Sequence, residues 1–309
     1  MNPLRSVLLA GSQSAWLRGQ ATKYRFVRRA VSRFMPGESL DDALRAAGEL
    51  RGQGLSTILT SLGENVTNPA EAEAVVRHYL EAIDRVTAAG LDAQISVKLT
   101  QLGLDLGTDL AYGNLRQITQ QAAARGNRLW IDMEGSAYTD VTLEIFRRLR
   151  GELNNTGVCL QAYLYRTASD LEKLLPLGPA IRLVKGAYKE PPEIAFPRKR
   201  DVDENFFRLA QDLLGVAARQ AGTFAAFGTH DPALIARLQE FGASKGLGKQ
   251  AFEFELLYGI QTDQQLNLAR AGYPTRVLIS YGSYWFPWYM RRLAERPANL
   301  LFVLRNLLR

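Results

Sequence analysis

The chain of 309 residues is 47% hydrophobic and 22% charged, with Gly 26 and Pro 12, which excludes collagen-like and disordered chains. A single cysteine, Cys159, and two histidines, His78 and His230, exclude an intramolecular disulfide and a Cys/His zinc site. The net charge of +7 lies wholly in residues 1–37, where Arg5, Arg18, Lys23, Arg25, Arg28, Arg29 and Arg33 stand without one Asp or Glu.

That basic segment reads in two ways: as a solvated helix face packed on the main body, or as an arm for an anionic lipid, nucleic acid or acidic partner. Its composition also matches an organelle transit peptide. VLLAG (7–11) is too short for a secretory apolar region, and no apolar run reaches the roughly 18 to 20 residues of a membrane span. A reducing cytoplasm suits the single cysteine. Residues 1–50 are expected to form a helical extension and residues 51–309 one catalytic domain.

From residue 55 onward, short β-branched runs alternate with amphipathic stretches. The expected strands are LSTILT (55–60), AQISVKL (93–99), RLWIDME (128–134), GVCLQAYL (157–164), AIRLVKGAY (180–188), TFAAFGT (223–229), AFEFELLYG (251–259) and TRVLISY (275–281). Helices between them begin at recognisable caps: Asn68-Pro69, Asp231-Pro232 and Thr262. Eight such β-then-α units predict a (β/α)8 barrel, with an open doubly wound sheet as the competing architecture. The tail differs, with aromatic SYWFPWYMRRLAER (283–296) followed by apolar ANLLFVLRNLLR (298–309). Either segment suits a cover over the barrel mouth or a membrane surface.

In such a barrel the active site forms at the C-terminal strand ends, so charged residues there point to chemistry. The candidates are Glu64 after strand one and Lys98, Thr100 and Gln101 on strand two. Strands three to five add Asp132, Glu134, Gln161, Arg182, Lys185 and Tyr188. The last three strands add Thr229, His230, Asp231, Glu253, Glu255, Tyr258 and Tyr281. Period-two alternation puts Lys98 on one face with Ser96, Asp132 with Trp130, and Arg182 with Val184, opposite Lys185. Gly186 allows a bulge or a close ligand approach to the backbone. For any single charge, the competing role is an internal ion pair that satisfies the barrel interior.

Three motifs fail on context. GLGKQA (246–251) matches a dinucleotide fingerprint by letters but precedes a strand; GASKGLGKQ lacks phosphate-loop spacing and a following Ser or Thr. His230-Asp231 lacks a nucleophilic serine, and Asp231 is expected to cap the next helix.

The segments ISVKLTQLG (95–103), RLVKGAYKEP (182–191), FEFELLYGI (252–260) and YWFPWYMRRLAERP (284–297) together resemble bacterial proline dehydrogenases, especially the short monofunctional kind. The resemblance covers about residues 50–297. It implies a distorted (β/α)8 barrel with a final helix over its mouth and non-covalent FAD. It implies oxidation of L-proline to Δ1-pyrroline-5-carboxylate, with electrons passed to a membrane quinone. It implies peripheral contact with the inner face of the cytoplasmic membrane, and neither a metal nor a nucleic acid.

Residue by residue, Arg291 and Arg292 match the pair that holds the proline carboxylate, with Lys98 beside them and Glu295 supporting Arg291. Asp132 matches a catalytic-site carboxylate, and Arg182 the arginine facing the flavin N5 edge. Met133, Gln161, Lys185, Gly186, Ala187, Thr229 and His230 match positions lining FAD. Leu257, Tyr281 and Trp288 match the walls around the pyrrolidine ring, although tyrosine is frequent where this chain has Trp288. Glu64 is expected to pair with Arg291 as a gate. The competing readings are a Schiff-base aldolase using Lys98 or Lys185 and a non-enzymatic scaffold whose basic arm binds polyanions.

Overall fold

In a computed structural model, which describes residues 31–285, the alternating pattern resolves into eight parallel strands closed in sequence order, each pairing with the next and the last with the first. They are β1 (Ser56–Ser61), β2 (Ala93–Val97), β3 (Leu129–Ile131), β4 (Thr156–Gln161), β5 (Ala180–Val184), β6 (Phe224–Gly228), β7 (Glu253–Leu257) and β8 (Thr275–Tyr281). The (β/α)8 barrel is therefore present and the open sheet is not. Closure runs through β1 and β8, which stay in register from Ser56↔Arg276 to Ser61↔Tyr281.

The crossovers are carried by α2 (Pro69–Ala88), α3 (Thr108–Ala124), α4 (Thr139–Arg150), α5 (Thr167–Leu174), α6 (Lys199–Leu213), α7 (Val216–Gln220), α8 (Pro232–Ser244) and α9 (Thr262–Arg270), preceded by α1 (Leu40–Arg51). Two of the expected caps hold. The Asn68 side chain accepts the Glu71 N–H at 3.0 Å, and Asp231 accepts that of Ala233 at 3.1 Å, each followed by a proline in the first turn. At the third, Thr262 is already helical, and Gln261 is the cap residue in a left-handed conformation, φ 54°. Of the expected 1–50 extension, α1 packs its apolar face, including Ala43, Ala47 and Leu50, into the same core as Leu59 of β1.

Strand alternation divides the apolar side chains into two sets. Outward residues such as Ile95, Ile131, Leu183, Phe227, Val277 and Ile279 join the helices in the main core. Inward residues Ile58, Trp130, Ala180 and Ala226 form a smaller plug, bordered by Phe224 and Leu278. Trp130 fits because its neighbour in register, Gly157, has no side chain: a Cβ there would lie 2.5 Å from the indole ring. Charged side chains occupy the remaining interior positions, with Arg276 of β8 paired to Glu253 of β7 at 3.1 Å and to Asp92 at 2.9 Å. Arg276, Glu253 and Asp92 thus form an ion cluster near the N-terminal ends of the strands. Apart from residues 283–285, the tail segments 283–296 and 298–309 lie outside the described residues, as does the basic run up to Arg29.

Candidate active site

Arg182 lies in the middle of β5, on the strand face that period-two alternation turns into the barrel. It is 3% exposed, and its interactions with β2, β3 and β7 all come from inward side chains. Its Nη1 donates to Asp132 Oδ1 at 2.8 Å and to Ser96 Oγ at 3.0 Å, while its Nε lies 2.5 Å from Glu255 Oε2. The guanidinium sits 4.5 Å from the centre of the Trp130 ring, a cation–π contact in a desolvated setting. Burial works against the charge, but the Glu255 and Asp132 carboxylates outweigh it and raise the arginine above its ordinary value. Arg182 is thus a permanent, tightly held cation.

Asp132 follows β3 by one residue and collects two more groups at the mouth. Ser96 Oγ donates to its Oδ1 at 2.8 Å, and Lys98 Nζ lies 3.8 Å from its Oδ2. Lys98 and Asp132 border a cavity of about 150 Å³, together with Thr60, Leu62, Glu64, Ala187, Tyr188, Leu257, Leu278 and Ser280. Two carboxylates, one ammonium and an apolar wall of three leucines therefore face a space suited to a small amphiphilic molecule. The structure brings Glu64, Lys98, Asp132, Ala187 and Leu257 to this cavity as a group, with Arg182 directly behind Asp132.

A second group of candidates lies beside it, toward β4, β5 and β6. Gln161 ends β4, and its amide nitrogen donates to the Met133 and Glu134 carbonyls at 3.2 Å each, leaving its Oε1 buried without a partner. Gly186 has φ +110° and lies so close to Tyr163 that a Cβ would meet the ring at 2.2 Å. Lys185 Nζ is held by Asp203 at 2.5 Å and Asp231 at 3.0 Å, and Lys199 shares both carboxylates. Burial would raise Asp231, but the two lysines hold it well below the usual carboxylate range. His230 Nε2 accepts the Leu257 N–H at 2.9 Å, so a neutral ring carries its proton on Nδ1. Thr229 is buried, its hydroxyl accepting the Asp231 N–H at 3.2 Å.

Tyr281 is elsewhere. In β8, Leu278 and Ser280 point inward to the cavity, so Tyr281 points outward with Val277 and Ile279, and its hydroxyl lies 2.8 Å from His78 Nε2 on α2. The cavity is lined instead by Leu278, three residues earlier and on the other strand face. Trp288, Arg291, Arg292 and Glu295 lie outside the described residues. Residues not singled out as site members also converge here: Tyr188 and Glu255 were visible as strand-end candidates, whereas Thr60 and Ser280 are neighbours in register across the β1–β8 closure and carry no sequence motif. Cys159 is inert, since burial pushes its thiol up to about 12.

A sequence profile described as proline dehydrogenase matches residues 43–305. The chain belongs to the proline dehydrogenase family. It is similar to proline dehydrogenase 1 of Bacillus subtilis strain 168, 39% identical over 306 residues and covering 99% of each chain. Proline dehydrogenase of Deinococcus radiodurans is 40% identical over 284 residues, 90% of each chain. Among solved structures, proline utilization A (PutA) from Bdellovibrio bacteriovorus, inactivated by N-propargylglycine, superposes with a TM-score of 0.80 at 23% identity. That match covers 87% of this chain and 32% of the other, so this chain spans about a third of that protein. Membership in the proline dehydrogenase family makes the chain an oxidoreductase that acts on proline and implies a flavin. It also removes the aldolase and scaffold readings. No helix among the described residues is long and apolar enough to cross a membrane.

Proposed function

We propose that this proline dehydrogenase binds FAD non-covalently and oxidises L-proline to Δ1-pyrroline-5-carboxylate by hydride transfer from C5 to flavin N5, with a quinone as the final acceptor. The observation that carries this reading is the placement of Arg182 and the Lys98–Asp132 pair at one end of the barrel, beside a cavity of about 150 Å³. The side chains present suit a flavin. Gln161 Oε1 is a buried acceptor without a partner, matched to an imide N–H, and Arg182 Nη2 is a buried donor that makes no hydrogen bond among the described residues. Gly186, at φ +110°, lets the segment 185–187 pass against the Tyr163 ring and so reach the site. Met133, Gln161, Arg182, Lys185, Gly186, Ala187, Thr229 and His230 would hold the cofactor, which supplies the two-electron acceptor.

The protein's own work is orientation and charge. Proline is a zwitterion, so its carboxylate calls for fixed cations, here Lys98 with Arg291 and Arg292; Glu295 would steady Arg291. Leu257, Leu278 and Trp288 would wall the ring and exclude water. Asp132 holds Lys98 on one oxygen and Arg182 on the other, tying the substrate cation to the cation behind it. Arg182 places positive charge where negative charge develops, which preorganised sites do at no reorganisation cost. Fixing C5 in a reactive pose contributes several kcal/mol of the barrier reduction. Glu64, at the cavity rim, would close on Arg291 as a gate. Quinone delivery would bring the basic N-terminal segment or the 298–309 segment to the anionic inner face of the cytoplasmic membrane.

Two measurements test this. L-proline deuterated at C5 should bleach the flavin more slowly than the protiated substrate in a stopped-flow mixer; equal rates would remove C5 hydride transfer as the observed step. Arg292→Lys should raise the KM for proline by at least about tenfold, because an ammonium cannot replace the two parallel hydrogen bonds of a guanidinium. An unchanged KM would remove the carboxylate assignment.

A further inference from the structure

Glu255 is a buried carboxylate for which the reading above has no use. It lies on β7, 4% exposed, outside the cavity lining. The other inward carboxylate of the same strand, Glu253, has its own cation in Arg276. Asp132 is shared between Arg182 and Lys98 and accepts from Ser96. Glu255 has only Arg182, at 2.5 Å through Oε2, and its Oε1 is buried without a hydrogen-bond partner. Two carboxylates thus converge on one guanidinium, Asp132 shared with Lys98 and Glu255 serving Arg182 alone.

Such an arrangement is costly, since an apolar or amide side chain of similar size would fill the same space without desolvating a second anion. Burial, acting against the attraction of Arg182, pushes the Glu255 carboxyl up to about 7. The geometry around the guanidinium shows what the second anion does. Asp132 and Ser96 engage Nη1, Trp130 covers a ring face, and Glu255 fixes Nε. Nη2 alone keeps donors with neither contact. The plane and rotation of Arg182 are set from three sides, and its positive charge is partly offset from behind.

We infer that Glu255 is a positioning residue that fixes the orientation of Arg182 and tempers its charge, thereby setting the reduction potential of the bound flavin; this rests on Arg182 facing the flavin as proposed above. An added negative charge behind Arg182 weakens the stabilisation of the electron-rich reduced ring, so removing it favours reduction.

The test compares the flavin-loaded wild type with Glu255→Gln and Glu255→Asp. Each protein is reduced slowly without oxygen beside a reference dye, and the ratio of reduced to oxidised flavin is read from the visible spectrum. Glu255→Gln should raise that ratio at a fixed dye potential at least tenfold, about 30 mV for a two-electron couple. Glu255→Asp, which keeps the charge, should stay within threefold of wild type, and the KM for proline should be unchanged in both. A Glu255→Gln ratio within twofold of wild type would overturn the inference, leaving Glu255 a space-filling group. Should Glu255→Gln purify without flavin, Glu255→Met, apolar and close in size, is read in its place with the same two outcomes. A wild-type flavin that proline fails to bleach overturns the reading beneath and this inference with it. A wild-type flavin that bleaches while the variants leave the ratio unmoved overturns the inference alone.

Discussion

Replacing Arg182 by methionine should cost about 3–5 kcal/mol of stability and slow flavin reduction by proline about 100-fold or more. The stability loss follows from what remains. Asp132 and Glu255 would face each other inside the barrel without the cation that lies 2.8 Å and 2.5 Å from them. Glu255, buried and deprived of its cation, resists ionisation further, so its folded-state pKa rises well above that of the unfolded chain. A carboxyl raised in this way loses stability as pH rises from its unfolded value near 4, and keeps it below that value. The deficit of Arg182→Met against wild type should therefore be larger at pH 8 than at pH 5, measured by urea denaturation at both. Arg182→Lys retains the charge without the fork; it should recover most of the stability but little of the rate. Equal stability of Arg182→Met and wild type at pH 8 would contradict the buried ion network, and an equal rate of flavin reduction would contradict the role of Arg182.

The second large effect is expected at Gly186. Its φ of +110° lies outside the range L side chains adopt readily, and an added Cβ would stand 2.2 Å from the Tyr163 ring. Neither side can yield easily. Tyr163 is buried, and its N–H is tied to the Lys185 carbonyl at 2.8 Å, directly beside the glycine. The Lys185 side chain is anchored in turn by Asp203 and Asp231. Gly186→Ala should therefore cost about 1–3 kcal/mol and weaken retention of the flavin, because relief of the clash moves the segment 185–187 that borders the site. Thermal unfolding with and without added FAD separates the effects. The variant should melt lower alone and gain less from FAD than wild type does. A full wild-type gain would mean that Gly186 serves packing only.

Much of this architecture was legible from the sequence because parallel barrel strands are short, β-branched and spaced by amphipathic helices. TRVLISY matches β8 at both ends, and the other expected strands overrun mainly where charged or polar residues extend the run, as Asp132 and Glu134 do beyond β3. Lys98 and Asp132 stood out as candidates because charge at a strand end has few structural uses, and Arg182 because period-two alternation turns a charge in mid-strand into the barrel. Tyr281 was not, since a motif match fixes a position along the chain but not a strand face. Alternation from Arg276, whose partner Glu253 is internal, turns Leu278 and Ser280 inward and Tyr281 toward His78. Glu255 was visible as a charge on strand seven, yet its meaning depends on Arg182, two strands away around the barrel. Thr60 and Ser280 meet only through closure of β1 on β8. Pairings of that kind leave no local trace.

The most direct test is the visible absorbance spectrum of the purified protein, followed by addition of L-proline without oxygen. The account predicts flavin bands that bleach with proline and return when a quinone is added. A protein that shows no flavin bands, and stays inactive with proline after FAD is supplied, would contradict it.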